Sequence, residues 1–383
     1  MTTGTLIVGA GEADRRPRPG RTATDLAVEA AQAALADAGL EAGAIDCVFT
    51  GHTVAEHHLD FSAIVAQELG IRPKISGGMS RSGATGTSLV ASASMALVSG
   101  ACDTVLALWA DNRVSAPDVD VVSTFASLFT PYEIAYGPLI VTHYALIAQR
   151  YMADHGVTPE QMASVAVAFR EHASRNPQAR YRQPITVQEV LASPMVSSPL
   201  HRLECTLVTD FGGAVVMTRK DRASQFKDPV EVLGYGQSVT HDSILCDPTL
   251  FTPGYRGIRD AAERAYAMAG LAPRDIAMAQ LYDCFTVTVL LELEGLGFCK
   301  PGQAGAAVAE GLLGRNGALP CNTNGGMLSC ANGGILHVTE AVAQMRGNAG
   351  EHQLARRPAT ALVHGNGGIL ASHATLILGQ EQA

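Results

Sequence analysis

Hydrophobic and polar positions fall into the same pattern twice along this chain. Residues 30–45 read AAQAALADAGLEAGAI and residues 261–276 read AAERAYAMAGLAPRDI. Both have the three- and four-residue apolar spacing of an amphipathic helix. Each predicts a stop at a glycine, Gly39 or Gly270, the residue best able to take the left-handed conformation that closes a helix. A short apolar strand follows in each copy, at Cys47-Val48-Phe49 and at Met278–Leu281. One repeat at such long spacing is not a solenoid; it predicts two similar α/β halves.

A second pair of segments extends the pattern. GATGTSLVASASMALVSG (83–100) leads into an apolar strand at 104–108, and NGGILHVTEAVAQMRG (332–347) leads, after a loop, into one at 360–363. Each is a glycine-rich turn opening a helix. Residues 86–99 carry no charged side chain, as expected of a helix buried on every side. Two such helices between two sheets predict a five-layer α/β/α/β/α sandwich. The expected division is 1–230 and 231–383, with a subdomain inserted at about 115–200, where polar patterning is densest. Within that insertion, Thr158-Pro159-Glu160-Gln161 predicts a helix start: an N-cap Thr, Pro at the first position and Gln closing a capping box.

Composition narrows the function classes. Of 383 residues 47% are apolar and 16% charged, which excludes a disordered or coiled-coil chain. The net charge of −9 argues against a general nucleic-acid binder. Apolar runs are interrupted too soon to span a membrane, and the first residues lack the basic segment of a secretory leader. Eight cysteines without a CxxC pair suggest neither a zinc site nor a disulfide framework. A cytoplasmic enzyme with reduced thiols, no metal and no permanently bound cofactor is the expectation.

Several candidate motifs carry little. Gly9-Ala10-Gly11 lacks the third glycine and the following helix of a dinucleotide fingerprint, so it reads as a strand-end turn. His52, His57 and His58 do not share the face a metal site needs, and read as a solvated loop. Arg170, Arg175, Arg180 and Arg182 read as a solvated rim, or as a phosphate site if the ligand resembles coenzyme A. Three glycine-rich turns belong together: Arg81 to Gly86, Asn322 to Gly334 and Val363 to Gly368. Glycines allow close backbone approach to a ligand, and helix N-termini offer free N–H groups to an oxyanion. Tight turns between packed layers are the plain alternative.

The chain resembles the thiolases, specifically the sterol-carrier-protein thiolase-like branch that includes steroid side-chain aldolases. The resemblance runs nearly end to end. It rests on the two-half repeat and on Arg170 to Pro184, Asp210 to Ala214, Tyr282-Asp283-Cys284-Phe285, Leu296 to Gly302, Leu319 to Gly326 and Gln344 to Gly347. It implies a coenzyme A thioester as substrate. The departures bear on mechanism: the resemblance places the family's nucleophilic cysteine at Gly83, its activating histidine at Asn332 and its second cysteine near Val363-His364-Gly365.

Without a nucleophile at Gly83 an acyl-Cys intermediate is unavailable there, although Cys284 or Cys330 could serve as a displaced nucleophile. Retro-aldol cleavage of a β-hydroxyacyl-CoA needs only a base and donors to the developing enolate. The resemblance to the aldolases implies Tyr282 as acid/base. Asn332 is the candidate donor, with His364, Gly83, Gly365 and Asn366 supporting the oxyanion or binding substrate. An acyltransferase with rearranged residues and a non-catalytic subunit are the alternatives. The family further implies a homodimer, with the strand at 104–109 as candidate edge, and a separate OB-fold zinc-ribbon protein as partner.

Overall fold

The computed structural model describes residues 3–116, 129, 131–135, 139–241 and 255–380. Residues 117–128, 130 and 136–138 of the expected insertion, and Cys246, lie outside the described residues. In chain order the strands are β1 (Thr5–Glu12), β2 (Cys47–Gly51), β3 (Ile75–Met79), β4 (Thr104–Asn112), β5 (Met195–Ser197), β6 (Leu200–His201), β7 (Asp210–Arg219), β8 (Val230–Val239), β9 (Met278–Leu281), β10 (Thr360–Gly367) and β11 (Ser372–Gln380). The helices used below are α1 (Ala23–Ala38), α2 (Phe61–Glu68), α3 (Thr85–Val98), α4 (Ile140–His155), α5 (Pro159–Ser174), α6 (Arg256–Ala269), α7 (Thr286–Gly295), the single turn α8 (Gly326–Ser329) and α9 (Ile335–Arg346).

Nine strands pair in the order β3-β2-β4-β7-β1-β8-β11-β10-β9. Read outward from the β1–β8 junction, β1, β7, β4 and β2 match β8, β11, β10 and β9. The directions match too: β2 and β4 are parallel, as are β9 and β10, while β1–β7, β7–β4, β8–β11 and β11–β10 are antiparallel. The counterpart of β3 is reduced to a single bridge between Ala279 and Cys321. The two halves join because β1 and β8 pair over Thr5–Ile7.

Both α3 and α9 touch strands of both halves, so they form the middle layer. α1 covers β1, β7 and β4 from outside, and α6 covers β8 and β11. That is the five-layer arrangement. The middle layer is tight: a Cβ on Gly86 of α3 would lie 2.6 Å from the Ile335 Cα at the start of α9.

Local signals work as the chain predicts. α1 begins with a complete capping box between Thr22 and Asp25 and ends on Gly39 at φ 65°. α6 ends on Gly270 at φ 67°, and α5 starts on the Thr158–Gln161 capping box. The Gly9-Ala10-Gly11 segment differs from its expected strand-end turn: it lies inside β1. A Cβ on Gly9 would strike the Ala34 carbonyl of α1, and one on Gly11 would approach Ala30. Gly234 and Gly236 of β8 meet Ala265 and Ala261 of α6 in the same way. These glycines admit a helix backbone, not a pyrophosphate.

The expected edge strand is also corrected. Thr104–Asn112 lies between β2 and β7 and is buried throughout. Extension of the parallel pair β2–β4 by α2 and β3 places Ile75–Met79 at the free edge of the first half instead.

Candidate active site

The turn before α3 is pinned by Thr85. Its hydroxyl donates to the Ser82 carbonyl at 2.6 Å and accepts from the Arg81 N–H at 2.9 Å, with Ser82 at φ 47°. Gly83 follows. A Cβ there would overlap Cζ of Tyr282 and the carbonyl oxygen of Asn366, and would sit 2.5 Å from Tyr282 Cε1. The phenol ring therefore fills the space that a side chain at position 83 would occupy. Gly365 approaches the same turn from β10, where its Cβ would lie 3.0 Å from the Ala84 Cα. Gly334, before α9, faces Tyr282 and Trp109.

Tyr282 follows β9 and is half-buried. Its hydroxyl has no hydrogen-bond partner among the described residues. Burial pushes its pKa up; Cys284, Asp283 and Glu292 add to this, while Arg113 opposes it. Tyr282 is therefore a neutral phenol at rest.

Asn332 faces inward and is engaged on all sides. Its amide donates to the Leu207 carbonyl at 2.9 Å and to Thr206 Oγ1 at 3.3 Å, and its Oδ1 accepts from Arg113 at 3.1 Å. Both of its hydrogens are spent on the protein, so a donor role toward substrate requires releasing one of these bonds. Arg113 also pairs with Asp111 at 2.8 Å and lies 5.3 Å from the Phe211 ring centroid.

Strand alternation separates the β10 candidates. Gly365 faces α3, whereas His364 and Asn366 point to the opposite face. His364 is buried between Thr375 Oγ1 at 2.8 Å and His373 Nδ1 at 3.3 Å. Burial, and secondarily His373, holds its pKa well below the usual imidazole range. Asn366 donates to Glu292, and its Oδ1 accepts from Tyr144 at 3.3 Å. The structure thus gathers Gly83, Gly365, Tyr282 and the Asn366 carbonyl at one point, with Asn332 reaching the group through Arg113. The His364 ring stands apart.

The two candidate thiols are buried. Cys284 is pushed up to about 12 by burial, and its Sγ lies 3.7 Å from Thr288 Oγ1. Cys330 is pushed up to about 11 by burial, against the Arg15 guanidinium that donates to its Sγ at 2.7 Å. A thiol nucleophile works as its thiolate, which these sites suppress. Arg15 lines a cavity of about 500 Å³ between β1, α1 and α9 whose lining includes neither Tyr282 nor Gly83.

Arg170 is not part of a solvated rim. It is 5% exposed, donates to Ser329 Oγ at 2.8 Å and to the Gln183 carbonyl at 3.2 Å, and stacks on Tyr181. It ties α5 to α8. Arg175, Arg180 and Arg182 are exposed. His58 pairs with Glu56 at 3.0 Å, and among the described residues no group of acidic, His or Cys side chains could hold a metal.

Four residues escape the sequence reading. Asp283 accepts from the Met327 and Leu328 N–H groups and from His337 Nε2 at 3.2 Å, fixing α8 and α9 behind Tyr282. Glu292, fully buried, accepts the Tyr282 N–H at 3.0 Å. Its signal was an acid inside the apolar run Val287 to Leu293. Arg113 and Tyr144 carried no signal, since each lies in an ordinary amphipathic or apolar stretch.

Comparison with known proteins bears on this geometry. A family model described as "Thiolase, N-terminal domain" matches residues 17–197, and one described as "Thiolase C-terminal domain-like" matches 236–380. The chain is 34% identical to the "Steroid side-chain-cleaving aldolase" of Thermomonospora curvata, covering 90% of each chain. It is 34% identical to the "17-hydroxy-3-oxo-4-pregnene-20-carboxyl-CoA lyase" of Mycobacterium tuberculosis, over 90% of this chain and 92% of that one. It is 32% identical to an "Acetyl-CoA acetyltransferase" of Methanothermobacter thermautotrophicus, over 91% and 93% respectively. The solved structure titled "Ltp2-ChsH2(DUF35) aldolase" superposes with a TM-score of 0.88 at 33% identity, covering 100% of this chain and 99% of that one.

Proposed function

Since the chain belongs to the thiolase family, we propose that it is a carbon–carbon lyase that cleaves a β-hydroxyacyl-CoA thioester by retro-aldol chemistry. The observation that carries this reading is the Tyr282 phenol lying over Gly83. A thiolase-type acyl transfer needs a nucleophile there, and the space is already filled by a general acid/base. The aldolase and lyase relatives support the same choice.

The reaction moves one proton and breaks one carbon–carbon bond. The β-hydroxyl proton leaves as the Cα–Cβ bond breaks, the electron pair of that bond forms the thioester enolate, and Cβ becomes a carbonyl carbon. Cα takes up a proton in the same motion, as enolate character develops. A neutral tyrosine serves both ends as a concerted relay, its own proton passing to Cα as its oxygen takes the β-hydroxyl proton, so that no protonated phenol forms. This avoids a free phenolate, which burial disfavours. The Arg113 guanidinium, already the group that lowers the pKa of Tyr282, favours negative charge as the enolate forms.

Coenzyme A enters as part of the substrate. The seven described cysteines are free, which suits a reducing compartment such as the cytoplasm. The chain acts as a homodimer with a second, different protein. Support for that partner is the structural neighbour whose title pairs Ltp2 with ChsH2(DUF35).

The test is Tyr282→Phe, assayed by release of the carbonyl fragment from a panel of β-hydroxyacyl-CoAs, with the partner protein added. Turnover should fall by roughly two to four orders of magnitude, with circular dichroism unchanged. Near-normal turnover would remove Tyr282 from the mechanism.

A further inference from the structure

Glu292 is an acid in the immediate surroundings of Tyr282 that the mechanism above does not use. It is 0% exposed, on α7. Its two oxygens have different partners: Oε2 accepts the main-chain N–H of Tyr282 at 3.0 Å, and Oε1 accepts from the side-chain amide of Asn366. Neither partner is charged, and no cation pairs with it among the described residues. Asp283, itself an acid, disfavours ionisation of Glu292 further.

The position is mechanically important. Tyr282 and Asn366 sit on different elements, the turn after β9 and the end of β10. The carbonyl of Asn366 and the ring of Tyr282 are the two groups that close over Gly83. Asn366 in turn accepts from Tyr144 on α4, at 3.3 Å. Glu292 is thus the point at which the Tyr282 turn, the β10 end and the inserted helical segment meet.

Resting on the retro-aldol reading, we infer that Glu292 is the positioning residue for Tyr282, a neutral carboxylic acid that clamps the Tyr282 turn to the end of β10. An ionised carboxylate without a counter-charge is too costly in such a place, and the group stays protonated instead. Burial pushes its pKa well above the ordinary carboxylate range. The acid proton needs an acceptor. The Asn366 amide, turned about its last bond, presents Oδ1 to Glu292 and its NH₂ to the Tyr144 oxygen, so the chain of bonds is complete with Glu292 neutral. A neutral clamp also spares the site a second negative charge beside the developing enolate.

The experiment has a spectroscopic and a kinetic arm. Infrared difference spectra of wild type against Glu292→Gln, in H₂O and D₂O at neutral pH, should show a protonated carboxyl band that shifts on deuteration and vanishes in the variant. Glu292→Gln keeps an acceptor for the Tyr282 N–H and a partner for Asn366, so it should retain kcat within about threefold, while Glu292→Leu should lose about 100-fold in kcat with little change in KM, the scale of a misplaced catalytic group. On a Tyr282→Phe background Glu292→Leu should cost nothing further, because the group it positions is gone. Carboxylate bands only, or Gln as damaging as Leu, would overturn the inference. If Glu292→Leu does not fold, the infrared band and the Gln variant still decide. An active Tyr282→Phe enzyme sinks the retro-aldol reading on its own, whatever the infrared spectrum shows.

Discussion

At position 83 a side chain has nowhere to go. The Tyr282 ring fills the space from one side and the Asn366 carbonyl from the other. The first neighbour is a side chain and could rotate away; the second is backbone and cannot be removed by substitution. Gly83→Cys therefore should not turn this chain into an acyl-transfer enzyme. The variant is expected to lose lyase turnover by displacing Tyr282, and intact mass after incubation with short acyl-CoAs should show no acyl adduct on the introduced thiol. A stable adduct there would mean that the turn can open far enough to take a nucleophile. The sequence showed that Gly83 and Tyr282 both depart from the thiolase pattern. It could not show that the two departures share one volume, because they lie in opposite halves of the chain.

At the scale of elements, α3 and α9 pack too closely to admit a side chain between them. A methyl group at Gly86 would fall among the backbone atoms of Gly334 and Ile335. Gly86→Ala should cost about 1–3 kcal/mol despite its better helix propensity, as overpacking does, measured as a lower denaturant midpoint at unchanged slope. The β10–β11 hairpin carries a different liability. His364 and His373 are buried and neutral, and His373 is held at about 4, chiefly by burial, against 6.5 when unfolded. Above pH 6.5 both states are neutral and stability is flat. As pH falls from 6.5 toward 4, the unfolded state takes up a proton that the folded state refuses, so stability falls; below 4 the loss levels off. The drop should be on the order of 3 kcal/mol for His373, and His373→Gln should flatten that part of a stability-against-pH curve. An unchanged slope in the variant would place the effect elsewhere. The helical repeat at 30–45 and 261–276 was legible because amphipathic spacing and terminal glycines are local. Its cause was not: Ala30 and Ala34, like Ala261 and Ala265, are small because their helix backbones rest on glycines of β1 and β8.

At the scale of the whole molecule, β3 is the open edge of the first half. It is short, and its side chains alternate between exposed and half-buried. An unpaired edge invites another strand, and Met95 and Val98 of α3 are exposed large apolar side chains. We propose this edge as the homodimer interface. Ser76, exposed in the middle of β3, offers the test: Ser76→Lys should shift sedimentation toward monomer while leaving the fold intact, since two such edges would bring like charges together. A dimer unaffected by Ser76→Lys would place the interface on another surface.

The amino-acid order alone determined the two-half α/β plan, the helix caps and the absence of a nucleophile at Gly83, because these depend on spacing, turn chemistry or residue identity within a few positions; the uncharged helix α3, expected to be buried on every side, is buried over its first turns and leaves Met95 and Val98 exposed. It also pointed to Tyr282, through a short motif. Which side chains meet was decided only by the tertiary structure. Arg170 left the rim for the interior, β4 moved from edge to centre, and the amide of Asn332 was engaged by Leu207 and Thr206. The order of strands in a sheet is set by crossovers, not by the pattern of any one strand, and that order decides which strand is free. Glu292 makes the same point within the site. Its burial without a counter-charge exists only because β9, β10 and α7 converge, and residues 282, 292 and 366 become neighbours in no other way.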